Sequence, residues 1–156
     1  MKSKQKSIGL LLALILFNGT LFAQKNNSKN VRVKVLSFNI LHGKTTNGSF
    51  DLDIIANVIK KADADFVSLQ EVDFKTNRSK KYDLPTELGF RTKMASIFGR
   101  AMYYDGGEYG EGVLSKYSFS STRNVALPYT EGNEPRAALE ITTVLKSGDT
   151  ISFIGT

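Results

Sequence analysis

FVSLQEVD, residues 66–73, is the stretch of sequence that decides the fold. It begins as a run of apolar, strand-favouring residues interrupted by one serine, which predicts a buried β-strand. It then changes to Gln70, Glu71 and Asp73 with no turn signal between. In open α/β sheets, ligand sites lie beyond the carboxyl ends of the strands. We therefore expect a core strand that places Glu71 at a functional edge of a sheet.

The residues before this strand predict a parallel partner for it. Residues 31–41, VRVKVLSFNIL, alternate and then become continuously apolar, which indicates a strand buried on both faces near its end. Residues 51–62 predict a helix with Asp51 at the N-cap. A connection of this length favours a right-handed βαβ unit, which would bring Asn39 and Glu71 to the same edge. The apolar helical face consists of Leu52, Ile55, Val58 and Ile59.

The rest of the chain predicts a short helix and a series of antiparallel strands. Residues 83–90, DLPTELGF, indicate a helix that begins at Asp83 and Pro85. A βαβ opening followed by such strands predicts a mixed sheet with helices packed outside. The last segment, TISFIGT, is a strand with no turn after it, so we expect the chain to be truncated inside its fold. The predicted strands are SIFGRAMYY, YGEGVLSKY, SSTRNVALPY, RAALEITTVL and DTISFIGT.

The first 23 residues have the layout of a secretory signal peptide. Three lysines precede an apolar run from Ile8 to Phe17, and small and polar residues then lead to Ala23. The run is shorter than the roughly 20 apolar residues that span a bilayer, so we expect cleavage near Ala23, with an uncleaved anchor as the alternative. The predicted protein is exported, and residues 24–30 form a polar linker.

Composition limits the class of protein further. The 156 residues are 41% hydrophobic and include no cysteine, which predicts one domain that relies on its core rather than on disulfides. Removing residues 1–23 takes away three lysines and no acid, so the formal net charge falls from +6 to +3. This charge is compatible with an anionic substrate, but it is far from the basic stripe of a dedicated nucleic-acid binder.

Glu71 and Asn39 are the candidate metal ligands. A hard cation such as Mg²⁺ prefers oxygen ligands, with one or two carboxylates completed by water and by substrate phosphate. The Glu71 carboxylate and the Asn39 amide oxygen fit this requirement. The alternative is that Glu71 and Asp73 begin a solvated loop and that Asn39 caps a turn. A buried amide needs hydrogen-bond partners, however, which makes Asn39 an unusual end for a core strand.

Five motifs in order carry a resemblance to a known family. LSFNILHG, VSLQEVD, YGEGVLSK, EPRAALE and SFIGT resemble the N-terminal half of the endonuclease/exonuclease/phosphatase superfamily. These metal-dependent phosphoesterases are related to pancreatic deoxyribonuclease, abasic-site endonucleases and bacterial sphingomyelinases. The resemblance covers residues 31–156. It implies an α/β (α+β), deoxyribonuclease I-like sandwich of two sheets flanked by helices, here incomplete at the C-terminus.

The resemblance also implies roles for single residues. Glu71 matches the metal-binding glutamate of the family, and Asn39 matches the asparagine of its first strand, so both are the implied catalytic and metal-site residues. Mg²⁺ or Mn²⁺ would neutralise charge on the phosphorus oxygens while an activated water attacks the phosphate ester.

Four further residues are candidates for substrate or phosphate binding. His42 follows Asn39 and could donate to phosphate, although a lone loop histidine is more often structural. Arg78 could bind phosphate with two parallel hydrogen bonds, and a solvated basic loop is the alternative. Tyr109 stands where the family brings a loop over the site, or it packs in the core. Arg136 resembles a recurring family arginine, but Glu131 and Glu134 could simply pair with it.

Two departures from the family pattern stand out. Glu111 is a carboxylate where many relatives carry asparagine or an apolar residue, so it would disturb phosphate binding or point away. The family's catalytic histidine follows a motif like Gly155-Thr156, and its later Asp/Asn and Asp-His motifs are not in this sequence.

The sequence thus predicts an exported Mg²⁺-dependent phosphoesterase, of which this chain is an N-terminal portion, inactive alone. The expected substrate is a phosphate ester, namely a nucleic acid, a phospholipid head group or a sugar phosphate. A monomer without an obligate protein partner is expected. The alternatives are a phospholipid-directed, sphingomyelinase-like phosphodiesterase and a non-catalytic binding domain that keeps the fold.

Overall fold

A computed structural model describes residues 30–156, and Val31–Thr156 form one compact unit. The predicted signal peptide, residues 1–23, lies outside the described residues, as does most of the predicted linker, residues 24–30. Within residues 30–156, neither helix has the length and apolar character needed to cross a bilayer.

The first sheet contains the strand that the opening stretch predicts. Its strands are β1 (Val35–Asn39), β2 (Phe66–Phe74), β3 (Ala95–Tyr104) and β4 (Gly107–Ser115), in the order β1-β2-β4-β3. The β1 and β2 strands are parallel, with Asn39 opposite Gln70, as the predicted βαβ unit requires. Both other pairings are antiparallel. β1 is an edge strand of this sheet, and its Val35 is 58% exposed.

The second sheet is separate from the first. It consists of β5 (Phe119–Ala126), β6 (Ala137–Val144) and β7 (Thr150–Gly155), in the order β5-β6-β7 with antiparallel pairing throughout. The single mixed sheet expected from the strand pattern therefore divides in two, because the later strands pair among themselves. The two sheets with few helices confirm the deoxyribonuclease I-like sandwich that the resemblance implies.

Both predicted helices are present and begin at the predicted caps. In α1 (Leu52–Ala62), the Asp51 side chain accepts hydrogen bonds from two backbone N–H groups. In α2 (Leu84–Thr92), Asp83 has the same role. The predicted burial of Val58 was wrong, since this side chain is 43% exposed while Ala56 is buried. The buried face follows the i, i+3, i+4, i+7 spacing of a helix and consists of Leu52, Ile55, Ala56 and Ile59.

Two apolar clusters lie on opposite faces of the first sheet. On the helix side, Val67 and Leu69 of β2 pack with the buried faces of α1 and α2. Between the sheets, Phe66 packs with Val113 and Leu139, and its ring stacks on Phe153 with 5.2 Å between centroids. Successive strand residues alternate between these two faces. The inter-sheet face of β2 and β4 is apolar at Phe66 and Val113 and becomes polar toward Asp73 and Tyr109.

Close packing between β3 and β4 leaves no room for a side chain at Gly110. A Cβ atom at Gly110 would lie 2.0 Å from the carbonyl oxygen of Gly99 on β3. At Gly112, two residues further on the same face, the nearest atoms would be at 3.4 Å, which is an ordinary contact.

We predict that Gly110→Ala weakens the β3–β4 pairing, because the backbone of β3 must move to admit the methyl group. The expected loss in the free energy of unfolding is about 1–3 kcal/mol or more, the usual cost of overpacking. Urea denaturation of Gly110→Ala beside the control Gly112→Ala measures the effect. Equal stability of the two variants would contradict this packing.

Candidate functional site

A β-bulge in β2 determines where the Glu71 side chain lies. Leu69 pairs with Gly112 and Val72 pairs with Gly110, so Gln70 and Glu71 stand together opposite the single residue Glu111. Glu71 has a left-handed backbone with φ 54°. Without the bulge, Glu71 would share the helix-side face with Leu69, whereas Val72 occupies that place in the structure. The extra residue therefore keeps the carboxylate out of the apolar core.

Asn39 holds the Glu71 carboxylate from the neighbouring strand. Its amide nitrogen donates to Glu71 Oε1 at 2.7 Å, and its amide oxygen accepts from the backbone N–H of Leu41 at 2.9 Å. The sequence predicts that Asn39 binds a metal through its amide oxygen. In this arrangement the amide nitrogen holds Glu71, while the oxygen keeps a second lone pair that a cation could use, so the metal-ligand role of Asn39 stays a prediction.

His42 lies beside the same carboxylate. It belongs to a 3₁₀ turn, Leu41–Gly43, in which both Leu41 and His42 have φ 45°. The distance from His42 Nδ1 to Glu71 Oε2 is 3.8 Å. Burial, and next the positive charge of Arg78, lower the pKa of His42 below its ordinary value of 6.5. The imidazole is therefore neutral at pH 7 and can both donate and accept a hydrogen bond.

Arg78 is fixed by a buried carboxylate. Arg78 Nε and Nη2 donate to the two oxygens of Asp73 at 2.7 and 2.8 Å, and Asp73 is fully buried. The Thr76 hydroxyl also donates to Asp73. The guanidinium lies over the Tyr104 ring, 4.5 Å from its centroid, and 5.5 Å from that of Tyr109. Hydrogen bonding to Asp73 raises the pKa of Arg78. These contacts fix the conformation of the loop that carries Arg78. Two of the three guanidinium nitrogens of Arg78 are hydrogen-bonded to Asp73.

Tyr109 belongs to β4 and lies opposite Asp73 of β2. Its side chain is buried, and burial, followed by the charges of Glu134 and Glu71, raises its pKa to about 12. The phenol therefore keeps its proton at neutral pH and can donate a hydrogen bond to an anion.

Arg136 pairs with Glu134, and both charges, like that of Glu71, act on Tyr109. Arg136 Nη2 is 3.3 Å from Glu134 Oε1, and both side chains are largely exposed. Arg136 and Glu134 also act electrostatically on Glu111. Glu111 is 2% exposed, and its Oε2 has no hydrogen-bond partner among residues 30–156. Burial raises the pKa of Glu111 to about 7, although Arg136 opposes the shift.

In the structure, Asn39 and His42 both lie next to the Glu71 carboxylate. The Arg78 guanidinium lies over the Tyr109 ring, and its charge also acts on His42. Arg136 contacts Glu134 and also acts electrostatically on Glu111 and Tyr109. Sequence reasoning missed the role of Asp73 as the anchor of Arg78. The signal was present, because a carboxylate two residues after Glu71 in an apolar strand needs a buried cation.

Glu71 is the residue of this group that suits a divalent cation. Its side chain is 31% exposed, so its oxygens are open to a metal with a water shell. Among the described residues, there is no group of three or more histidines or acidic side chains that could hold a metal. Mg²⁺ characteristically uses one or two protein carboxylates and keeps several waters, so a single glutamate is a suitable anchor.

The fold and the site define a class: an α/β sandwich of two sheets with a carboxylate presented at the carboxyl end of a central strand. The chain belongs to the Endonuclease/Exonuclease/phosphatase family, whose family model matches residues 36–152. This match confirms the resemblance seen in the sequence. Members of this family are typically hydrolytic phosphoesterases and generally use divalent metals. No curated protein matches the chain.

Solved structures agree with this assignment at the level of the fold. An endonuclease/exonuclease/phosphatase from Beutenbergia cavernae DSM 12333 superposes with a TM-score of 0.63 at 21% identity, over 79% of this chain and 37% of that one. A family protein from Leptotrichia buccalis C-1013-b gives 0.62 at 17%, over 80% and 53%. ANGEL2, a 2′,3′-cyclic phosphatase, gives 0.54 at 18%, over 78% and 39%. The chain therefore spans between about a third and a half of the length of these structures.

We predict that Asp73→Ala costs about 3 kcal/mol of unfolding free energy, because removing one partner of a buried ion pair leaves the other uncompensated. The matched control is Asp53→Ala, which removes the carboxylate of an exposed pair with Arg91 and should cost less than about 1 kcal/mol. Urea denaturation at pH 7 compares them. Similar losses would show that the Asp73–Arg78 pair does not stabilise the loop.

We also predict that Glu111→Gln changes how stability depends on pH. The carboxyl titrates at 4.5 when unperturbed and at about 7 in the folded chain, so between these values the folded state binds more protons. The stabilising contribution of Glu111 to the free energy of unfolding is therefore fully present below about pH 4.5, and it is lost as the pH rises through 7. Glu111→Gln should therefore be more stable than wild type at pH 8, by on the order of 2–3 kcal/mol.

The control for this prediction is Glu134→Gln, an exposed residue that pairs with Arg136. Urea denaturation at pH 5 and at pH 8 gives the change in the free energy of unfolding between the two pH values. This change should be smaller in Glu111→Gln than in the wild type, and it should be unaltered in Glu134→Gln. An unchanged pH dependence in Glu111→Gln would mean that Glu111 is ionised normally.

Proposed function

We propose that the protein is an exported, Mg²⁺-dependent phosphoesterase that hydrolyses a phosphate ester with a metal-activated water. The observation that carries the proposal is the 2.7 Å hydrogen bond from Asn39 to Glu71, at a bulge that presents the carboxylate at the end of β2. Family membership supplies the reaction class. The nearby neutral histidine, arginine and protonated tyrosine supply groups suited to an anionic substrate.

Glu71 would hold the cation, and Asn39 would fix the direction of its carboxylate. When bound, a divalent cation supplies Lewis-acid stabilisation of the charge on the phosphorus oxygens and lowers the pKa of a bound water. Holding Glu71 in one orientation matters because a misplaced ligand weakens both effects.

His42, Tyr109 and Arg78 would act on the phosphate group. The neutral His42 imidazole and the Tyr109 hydroxyl can each donate one hydrogen bond to a phosphate oxygen. Arg78 would contribute its positive charge and its one remaining guanidinium nitrogen, since Asp73 binds the other two. Arg136, which is largely exposed beside Glu134, would contribute a further positive charge to phosphate binding. We propose that Arg78 acts mainly by positioning the loop.

Two further parts of the proposal concern the whole protein. Export is supported by the three lysines and the apolar run of residues 1–23. The proposed activity also requires a water-activating histidine and Asp/Asn motifs that this sequence does not contain, since His42 is its only histidine. We propose that the sequence following Thr156 supplies them, in keeping with the partial coverage of the solved relatives.

We predict that a chain extended by the sequence that follows Thr156 hydrolyses an aryl phosphodiester in Mg²⁺ or Mn²⁺, and that Glu71→Gln lowers kcat/KM by at least about a hundredfold. Glutamine keeps the size of the side chain and can still accept from Asn39, but it removes the charge that binds the cation. The matched control is Glu108→Gln, a β4 carboxylate paired with Arg100. Activity that survives EDTA, or a fully active Glu71→Gln variant, would reject the proposed function.

A further inference from the structure

The end of the first sheet opposite to the Glu71 site is strongly basic. Lys34, Asp65 and Lys116 lie side by side where β2 begins, since the backbone of Asp65 is hydrogen-bonded to both lysine residues. Glu71 lies further along β2, roughly 15–20 Å away in an extended strand. We refer to this group of charges as the basic end. Its cations are Arg32, Lys34, Lys60, Lys61, Lys93 and Lys116, and its carboxylates are Asp63 and Asp65.

Both helices finish at the basic end. Lys34 and Lys116 donate to the two carboxylate oxygens of Asp63, the C-cap of α1, at 3.0 and 2.7 Å. A cavity of about 250 Å³ lies between the last turn of α1 and Lys93, the C-cap of α2. Lys60 and Lys93 are exposed beside this cavity, and neither forms an ion pair with any of residues 30–156. Their charges are therefore available to a partner.

Charge is distributed unevenly between the basic end and the rest of the fold. Residues 1–29 hold five lysines and no acid, so residues 30–156 have a formal net charge of +1. The six cations and two carboxylates of the basic end give it +4, and the remaining described residues together have −3. A positive face of this kind attracts anionic surfaces. The proposed phosphoesterase site is at the other end of β2 and does not use these charges.

Apolar side chains are exposed next to the same charges. Phe90, in the last turn of α2, is 84% exposed, and its carbonyl oxygen accepts from the backbone N–H of Lys93 at 3.4 Å. Val31 and Val33 flank Arg32 and are also exposed. Cations beside exposed aromatic and aliphatic side chains are typical of surfaces that bind an anionic bilayer, where lysines meet lipid phosphates and apolar groups enter the headgroup region.

The sequence that leads into the basic end also favours a membrane. Residues 1–30 join the fold here, directly before Val31. They contain the apolar run Ile8–Phe17 and, after it, Lys25 and Lys29. If this segment remains as an uncleaved anchor, the basic end is the part of the fold that is tethered nearest to the bilayer.

We propose that the basic end is a docking surface for an anionic lipid bilayer, with Lys60, Lys61 and Lys93 against lipid phosphates and the Phe90 ring in the headgroup region. The Glu71 site then faces away from the membrane. This inference goes beyond the proposed function, because it places the protein on a membrane while the substrate arrives from the aqueous side. A nucleic acid fits less well, since it gives no role to the exposed apolar side chains.

Binding to sedimented vesicles separates the basic end from other lysines. The full chain is mixed, in EDTA, with vesicles of phosphatidylcholine alone or with added phosphatidylglycerol. One variant replaces three lysines of the basic end by glutamine, namely Lys60, Lys61 and Lys93. The control replaces three exposed lysines of the loop after β2, namely Lys75, Lys80 and Lys81.

The basic-end variant should bind phosphatidylglycerol vesicles about ten- to a hundredfold more weakly than wild type, because each lysine next to an anionic surface adds to the binding free energy. The control variant, with the same net charge, should lose less than about threefold. Residues 1–30 are the same in both variants and do not affect the comparison. Equal losses would overturn the proposal, since only the overall charge would then matter.

A fluorescent reporter tests the placement of Phe90. The chain contains no tryptophan, so Phe90→Trp introduces a single indole. Its emission should shift to the blue on phosphatidylglycerol vesicles, and brominated lipids should quench it. The matched control is Tyr129→Trp, at an exposed aromatic position between β5 and β6, whose emission should not change. An unchanged emission of Phe90→Trp on vesicles that bind the chain would overturn the proposed orientation.

Two further outcomes decide the class of partner. Wild-type binding to phosphatidylglycerol vesicles should weaken as salt is added, because salt screens the lysine charges. Equal binding to phosphatidylcholine alone would overturn the proposal and assign the membrane contact to residues 1–30. Binding of a labelled oligonucleotide in EDTA that the basic-end variant loses, together with no binding to phosphatidylglycerol vesicles, would overturn the proposal in favour of a nucleic acid.

Discussion

The site depends on one irregularity in β2, the bulge at Gln70 and Glu71. A regular strand would send Glu71 into the apolar layer beneath the helices, where an unpaired carboxylate is unfavourable. The extra residue lets Val72 fill that layer and lets Glu71 meet the Asn39 amide. Glu71 adopts a left-handed backbone to do so, a conformation that costs a non-glycine residue on the order of 1 kcal/mol or more. A glycine would relieve this strain but would present no carboxylate, so local stability and the proposed chemistry make opposite demands at this position.

Burial has different effects on the polar groups along the same face. Asp73 is fully buried, and Arg78 binds both of its oxygens. Glu111 is almost as buried but lacks a direct partner, so its pKa rises toward neutrality. Burial also raises the pKa of Tyr109, to about 12. Burial without a contacting cation disfavours the charged form of a carboxyl group, and Glu111 is in this situation among the described residues.

Much of this fold could be predicted from the sequence, because its signals are local. Asp51 and Asp83 cap their helices where the pattern places them, and the parallel pairing of β1 and β2 follows from the length of the connection between them. The division into two sheets was not evident from strand patterns, since alternation shows that a strand exists but not which strand it pairs with. It came from the family resemblance instead.

The candidate site was predictable only in part. The position of Glu71 at the end of an apolar strand was clear, but the bulge that turns it toward Asn39 has no glycine to mark it. Asp73 and Arg78 are five residues apart across a loop, and only the folded chain shows that they bind each other.

The exposed edge of β1 has a consequence for the behaviour of the chain in solution. Val35 of β1, and Val31 and Val33 of the segment that precedes it, are each more than a third exposed, so apolar side chains face water here. Unpaired edges of this kind act as templates for further strands, including those of other chains. Arg32 and Lys34 alternate with the valines. Asp63 offsets the Lys34 charge at 3.0 Å, so the Arg32 charges of two approaching copies repel, and added salt should promote self-association along this edge by screening them.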